Sequence, residues 1–323
     1  MGKEYVLITG ATGFIGSHIV EKILLDRSYP VVAIIRRIKG YKNTEELENR
    51  GAILVEGNFY DVDLLNNVFQ KYPIQNVIHI AALRGGGAGT KEDYHVVNVL
   101  GTERLLYESL KHQVKKFIFC SSVGVFGTIP KELPANVMTD LNGDNEYHNS
   151  KILAEKKVKD YINKGLNAYI IRPTITYGKG DNGFPMTLMG LVKKRGLLLP
   201  FKDIKIHLLN VANFAELFIL IIKSENSERR TFIAADEGPI SLKELVNLIH
   251  FHYYKTDYPY FLKLPDFIFR CLSMVFKLFG NEKWLTRILL ISKSWYFETG
   301  ITNNTFQWLP AKTADSFIES MYT

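Results

Sequence analysis

Short runs of consecutive apolar residues recur through the first two-thirds of the chain. Each is followed by a stretch in which apolar positions return every three or four residues. Tyr5–Thr9 (YVLIT), Val31–Ile35 (VVAII), Ala52–Val55, Asn76–Ala81 (NVIHIA), Lys116–Ser121 (KFIFCS) and Tyr169–Arg172 (YIIR) are such runs. They are too short for helices and lack the polar alternation of a half-exposed strand, so they predict strands covered on both faces. Helical periodicity falls near Phe14–Leu25 and over 61–71, 92–113 and 146–163. The alternation predicts an α/β fold: a Rossmann-type doubly wound parallel sheet with right-handed crossovers.

The pattern changes towards the end. Asn210–Ile222 reads as a strongly apolar helix and Thr231–Ala234 (TFIA) as a strand rejoining the sheet. From Asp236 to Thr323 there are prolines, many aromatics and no β-α alternation; helices are expected at Leu242–His252, Asp266–Phe279 and Leu285–Lys293. The expected division is a dinucleotide-binding domain of 1–176 plus 206–235, and a smaller, mainly helical lobe of 177–205 plus 236–323. The run 267–279 (FIFRCLSMVFKLF) is too short to span a bilayer and carries Arg270 and Lys277. It reads as an amphipathic helix packed against the protein, with membrane-surface contact as the alternative.

Composition narrows the class. The chain has 323 residues, 46% of them hydrophobic, and 40 Lys and Arg against 33 Asp and Glu. That excludes disordered and collagen-like classes. The excess of +7 is spread without a dense basic stripe, so nucleic acid is not an expected partner. Only Cys120 and Cys271 are available, too few for a disulfide framework or a zinc knuckle. No metal site is expected. The opening MGKEYVLITG lacks the layout of a signal peptide, and a reducing, cytoplasmic setting is expected.

The first candidate chemistry is the turn Thr9-Gly-Ala-Thr-Gly-Phe-Ile-Gly16. It follows one expected strand and opens a helix. Gly10 would allow the tight turn, Gly13 the approach of a pyrophosphate, and Gly16 close packing of helix on strand; the phosphates would rest on the helix N-terminus. The second is Tyr147 and Lys151, four apart on one face of an expected helix. A phenol has an ordinary pKa of about 10. A cation about 4 Å away contributes on the order of 4 kcal/mol at an effective dielectric of about 20, enough to lower it by up to ~3 units. At the end of the fifth strand stand Ser121 and Ser122, and a hydroxyl there would polarise the reacting oxygen. At the end of the second strand stand Arg36 and Arg37. An acid there would favour NAD, whereas a guanidinium suits a 2′-phosphate. NADP(H) is therefore expected, with NAD as the alternative.

The spacing G-x-x-G-x-x-G resembles that of the short-chain dehydrogenases/reductases. VIHIAA (77–82), NVLGT (98–102), SSVGVFG (121–127, with Phe126 for the usual Tyr), Tyr147-His-Asn-Ser-Lys151 and RPTITYG (172–178) follow in the family's order. Together they resemble the extended branch, the sugar-nucleotide epimerase/dehydratases. The resemblance implies Ser122, Tyr147 and Lys151 as catalytic residues. It also implies a dinucleotide held by Gly10, Thr12, Gly13, Phe14, Ile15, Gly16, Arg36, Asn58, Phe59, Ala81, Ala82, Asn98, Tyr147, Lys151 and Pro173. Asn98 would shape its helix and help relay protons. Many relatives have Asp where Asn58 stands.

Residues 190–222 and the chain's close resemble a bacterial subgroup of UDP-sugar 4-epimerases and 4-ketoreductases. Relatives commonly have an arginine for the substrate diphosphate before Asn210-Val-Ala-Asn213; here the nearest basic residues are Lys202, Lys205 and His207. The leading expectation is NADPH-dependent 4-keto reduction of a nucleotide-sugar, ahead of a 4-epimerase that retains NAD. A hydroxysteroid or dihydroflavonol-type dehydrogenase is a third reading, permitted by the aromatics Phe251, Tyr253, Tyr254, Tyr258, Tyr260 and Phe261. A non-catalytic dinucleotide sensor is a fourth. The resemblance further implies a homodimer through the helices near 92–113 and 146–163.

Overall fold

A computed structural model of the chain describes residues 4–37, 44–85, 89–259 and 263–322. The apolar runs form a seven-stranded, all-parallel sheet. In chain order its first part is β1 (Tyr5–Thr9), α1 (Phe14–Asp26), β2 (Val31–Ile35), α2 (Thr44–Asn49), β3 (Ile53–Glu56), α3 (Val62–Lys71) and β4 (Ile74–His79). Next come α4 (Lys91–Tyr94), a π-helical stretch His95–Leu100, α5 (Gly101–Lys111), β5 (Lys116–Cys120), α6 (Glu146–Asn163) and β6 (Ala168–Pro173). After β7 (Ile175–Tyr177), α7 (Phe184–Lys193), β8 (Leu199–Pro200), β9 (Lys205–Ile206), β10 (Leu208–Asn210) and α8 (Val211–Lys223), strand β11 (Thr231–Ala234) returns to the edge. The order across the sheet is β11-β6-β5-β4-β1-β2-β3. The inner strands are buried on both faces because helices cover both, which is why they read as apolar runs, while edge strand β3 is only partly buried.

Two points differ from the sequence expectation. The continuous helix expected over 92–113 is broken into α4, the π-helical stretch and α5. One wider turn re-aims the side chains of its neighbours, and such stretches favour functional positions. Helix α2 and helix α7 were not foreseen. The periodicity of α7 is blurred by Pro185 and Gly190 within a nearly all-apolar run.

The remainder comprises β12 (Ile240–Ser241), α9 (Leu242–Tyr254), β13 (Lys263–Leu264), α10 (Asp266–Leu278), α11 (Glu282–Ser292), α12 (Gly300–Phe306) and α13 (Thr313–Ser320). Its apolar core joins α7, α9 and α13 to Val125, Phe126 and Tyr177 beside the sheet. Tyr258 is buried there, with its hydroxyl bonded to the main chain of Leu197. Phe251 and Tyr254 are exposed; Tyr260 and Phe261 lie outside the described residues. The packing expected for α10 is not found: Phe269 is its one buried residue, and Phe267, Met274 and Leu278 face outward. Among the described residues no helix is long and apolar enough to cross a membrane.

Candidate functional site

The glycine turn is held by contacts that a side chain would break. Gly10 has φ +80°, and a Cβ there would lie 2.7 Å from the Ala81 nitrogen. A Cβ on Gly16 would lie 2.1 Å from the Gly10 carbonyl oxygen. Gly13 donates its N–H to that same oxygen at 3.0 Å and is the N-cap of α1 without a side-chain cap. The first N–H groups of α1, at Phe14, Ile15 and Gly16, therefore open an anion site beside Thr12. The crossing of Gly10 over Ala81 lies where the strand order reverses, between β1 and β4. Crevices outside the carboxyl ends of strands at such a point bind ligands in open α/β sheets. The residues present fit a dinucleotide on this observation: no side chain caps the α1 N-terminus, and Gly13 puts no Cβ beside its free N–H groups.

Other expected residues line the same sheet edge. Arg36 follows β2 and is exposed; Asn58 follows β3 and is exposed; Ala81 and Ala82 follow β4; Pro173 ends β6. Phe59 differs from them. Its ring is buried 5.0 Å from the His79 ring, against Gly101, and so is turned into the core. His79 pairs with Thr9 Oγ1 at 2.6 Å and Thr102 Oγ1 at 2.9 Å, tying β1 and β4 to α5.

Helix α6 carries the two central residues. It starts on Asn145, whose side chain accepts the His148 N–H. Asp144 pairs with His148 Nδ1 at 2.5 Å and accepts the Thr128 N–H at 2.7 Å. These caps fix where Tyr147 emerges. Its ring packs against Gly85, and the nearby Ser122 hydroxyl favours loss of its phenolic proton. Ser122 also accepts the Gly124 N–H at 3.0 Å, which sets the strand-to-turn corner. Ser121 points the other way, donating to Glu155 Oε1 at 2.6 Å.

Lys151 is buried. Its ammonium donates to the Cys120 carbonyl at 2.8 Å and lies 4.6 Å from the centre of the Phe119 ring. Burial pushes it down to about 8, opposed by Cys120 and Glu155. The expected depression of Tyr147 by this lysine is not found. Burial pushes the phenol up to about 12, while Arg84 and the Ser122 hydrogen bond pull it down. Desolvation of the neutral-to-charged step outweighs an ammonium already engaged elsewhere.

Asn98, in the π-helical stretch, is committed on every side-chain atom. It accepts the Leu83 N–H at 2.7 Å and donates to the Leu83 carbonyl and the Ser150 hydroxyl, both at 2.9 Å. It thereby ties the loop after β4 to α6. Two groups escaped the sequence reading. Arg84, in that loop, acts on both Tyr147 and Asp181. Arg172 and Glu155 form a buried two-pronged ion pair at 2.7 and 2.9 Å that locks α6 to β6. The signal for the first was the glycine-rich RGGGAG after β4; the second had only the Arg of RPTITYG. On the substrate side, His207 is unsuited to a diphosphate. It is buried, bonded to the Asp236 carbonyl and the Phe297 N–H, and burial pushes it down to about 4. Lys202 and Lys205 are exposed.

Residues 6–232 match the model of the NAD dependent epimerase/dehydratase family. A UDP-glucose 4-epimerase of Vibrio cholerae is 29% identical over 321 residues, covering 95% of this chain and 91% of the relative. The human UDP-glucose 4-epimerase is 32% identical over 213 residues, and the match covers 59% of this chain and 61% of the relative. Among solved structures, UDP-glucose 4-epimerase from Thermotoga maritima with UDP-glucose superposes with a TM-score of 0.71 at 20% identity, over 95% of this chain and 93% of that one. UDP-glucuronic acid 4-epimerase from Bacillus cereus in complex with NAD gives 0.77 at 18% identity, over 98% and 97%.

Proposed function

Since the chain belongs to the NAD dependent epimerase/dehydratase family, we propose that it is a sugar-nucleotide 4-epimerase retaining NAD. This reverses the order expected from the sequence, which put 4-keto reduction first. The similarity along nearly the whole chain is to a 4-epimerase. The observation that most supports the reading is that α6 carries Tyr147 and a buried Lys151, anchored on the Cys120 carbonyl at the end of β5, to the sheet edge that also bears the glycine turn.

In this reading the α1 N-terminus and Gly13 take the pyrophosphate, and Lys151 the nicotinamide ribose. NAD held there would supply reversible hydride transfer and, when oxidised, positive charge near Tyr147. Tyr147 removes the proton from the sugar C4 hydroxyl and gives it back; Ser122 holds that oxygen in line. A phenol pushed up to about 12 is a poor base by itself. It therefore needs local positive charge, from Arg84 and from the oxidised ring of a bound dinucleotide. Lys202 and Lys205 are the cations proposed for the substrate diphosphate. We also propose a homodimer through α5 and α6, where Tyr107 and Leu153 are exposed.

Mass spectrometry of nucleotide released from denatured protein is expected to find NAD. UDP-glucose and UDP-galactose should interconvert with no cofactor added. A second reading, 4-keto reduction, is favoured by Arg36 and Arg37 at the end of β2. It would replace the first if the protein carried no NAD, left UDP-hexoses unchanged and oxidised NADPH with a 4-keto sugar nucleotide.

A further inference from the structure

We infer that the hairpin of α10 and α11 docks on an anionic lipid surface. The inference is independent of the reaction. Phe267, Cys271, Met274 and Leu278 recur at intervals of four, three and four residues, so they share one stripe of α10. That stripe faces water: Phe267 is 63% exposed, Met274 65% and Leu278 81%. It runs on through the turn, where Phe279 is 83% exposed and Gly280 (φ +64°) reverses the chain. The hairpin does not need these residues for its own packing. Phe276 stacks on Trp284 at 6.0 Å and Phe269 anchors α10 to the body. Scattered exposed apolar residues are ordinary, but a contiguous stripe ending in an apolar turn marks an interaction surface.

Charge identifies what covers it. Residues 263–293 hold six Lys and Arg against two Asp and Glu. Arg270 and Lys277 flank the stripe one step round the helix, and Lys283 follows the turn; all three are exposed. Apolar residues at the centre with long cationic side chains at the margin is the layout of an interfacial helix, whose apolar face enters roughly 5–10 Å below the headgroups while the cations meet lipid phosphate. A second copy of the same hairpin would bring like charges together, so self-association is disfavoured by the same residues. Trp284, half-exposed on the neighbouring turn, is an aromatic residue suited to the headgroup region.

The test uses the full chain and vesicles of phosphatidylcholine with or without a quarter phosphatidylglycerol. Trp295 and Trp308 are buried, so a change in tryptophan emission reports Trp284. The expected result is co-sedimentation and a blue shift with the anionic vesicles, weakened by salt. Lys277→Glu with Lys283→Glu should lower partitioning at least ~10-fold. Leu278→Ser with Phe279→Ser should abolish it with the thermal midpoint unchanged. Equal binding to neutral and anionic vesicles, or an emission unmoved by either, would overturn the proposal. So would a dimer that the Leu278→Ser, Phe279→Ser pair splits into monomers without any vesicle binding, since the face would then be covered by a second copy.

Discussion

Tyr177 is fully buried and Tyr147 partly so, and desolvation raises both phenols, yet their surroundings give opposite instructions. Tyr147 stands beside a hydroxyl and within the influence of Arg84, which favour loss of its proton. Tyr177 donates to the Asp236 carboxylate at 2.7 Å and shares a hydrogen bond with the Ser316 hydroxyl at 2.7 Å. Burial drives that phenol far above its ordinary value, and the carboxylate adds to the rise and holds the proton in place. Burial alone does not make a tyrosine an acid or base. The sign of the neighbouring charge and the direction of the hydrogen bond decide. The lysines repeat the lesson. Lys116 closes the end of α8 by donating to the carbonyls of Ile221, Ile222 and Ser224, a structural use next to the helix C-terminus. Lys151 donates to the single Cys120 carbonyl beside the crevice, leaving two N–H bonds for ligands.

The contrast can be broken most directly at Tyr147. Tyr147→Phe should lower kcat by roughly 10²–10⁴-fold with little change in thermal midpoint, whereas Tyr177→Phe should leave turnover near that of the parent. Near-normal turnover by the first variant would remove the role assigned to its hydroxyl. Next comes the frame that aims α6. Arg172→Met leaves Glu155 charged and buried, and should cost about 3–5 kcal/mol of stability in a denaturant melt. Its effect should follow folding, with turnover per folded molecule retained.

A somewhat smaller effect lies in pH. Burial pushes the Asp236 carboxyl up to about 6, opposed by hydrogen bonds from Thr313, Asn210 and Tyr177. The folded protein therefore holds this proton more tightly than the unfolded chain. Its contribution is complete below about pH 4 and is lost as pH rises through about 6, by roughly 3 kcal/mol. Asp236→Asn should flatten the thermal midpoint across that window; an unchanged slope would show that another group titrates there. The smallest effect is the stability cost of Tyr177→Phe. One buried donor to the carboxylate is removed, for about 1–3 kcal/mol. A loss of turnover exceeding the loss of folded protein would erase the distinction between the two tyrosines.

The sheet was legible because a strand covered on both faces must be apolar at every position, a local property of the chain. β1, β2 and β11 were read with their observed bounds for that reason. The glycine turn was legible because the need for Gly at 10 and 16 is a steric demand written into single residues. Motif order also brought Tyr147, Lys151 and Ser122 into view, and periodicity placed the first two on one helix face. The helices of the last third were harder. α12 and α13 are short, and their positions depend on what they cover.

Tertiary structure decided what those residues experience. The four-residue spacing brought Lys151 near Tyr147, but the Cys120 carbonyl and the Phe119 ring set what the ammonium does, and both come from β5. The ring of Phe59 went to the core because His79 and Gly101, distant in the chain, leave a slot for it. His207 was lost as an anion ligand to partners ninety residues further on and at Asp236. Spacing along a chain determines which side chains share a face. Desolvation and hydrogen-bond direction, which set their chemistry, are supplied by segments the chain brings in from elsewhere.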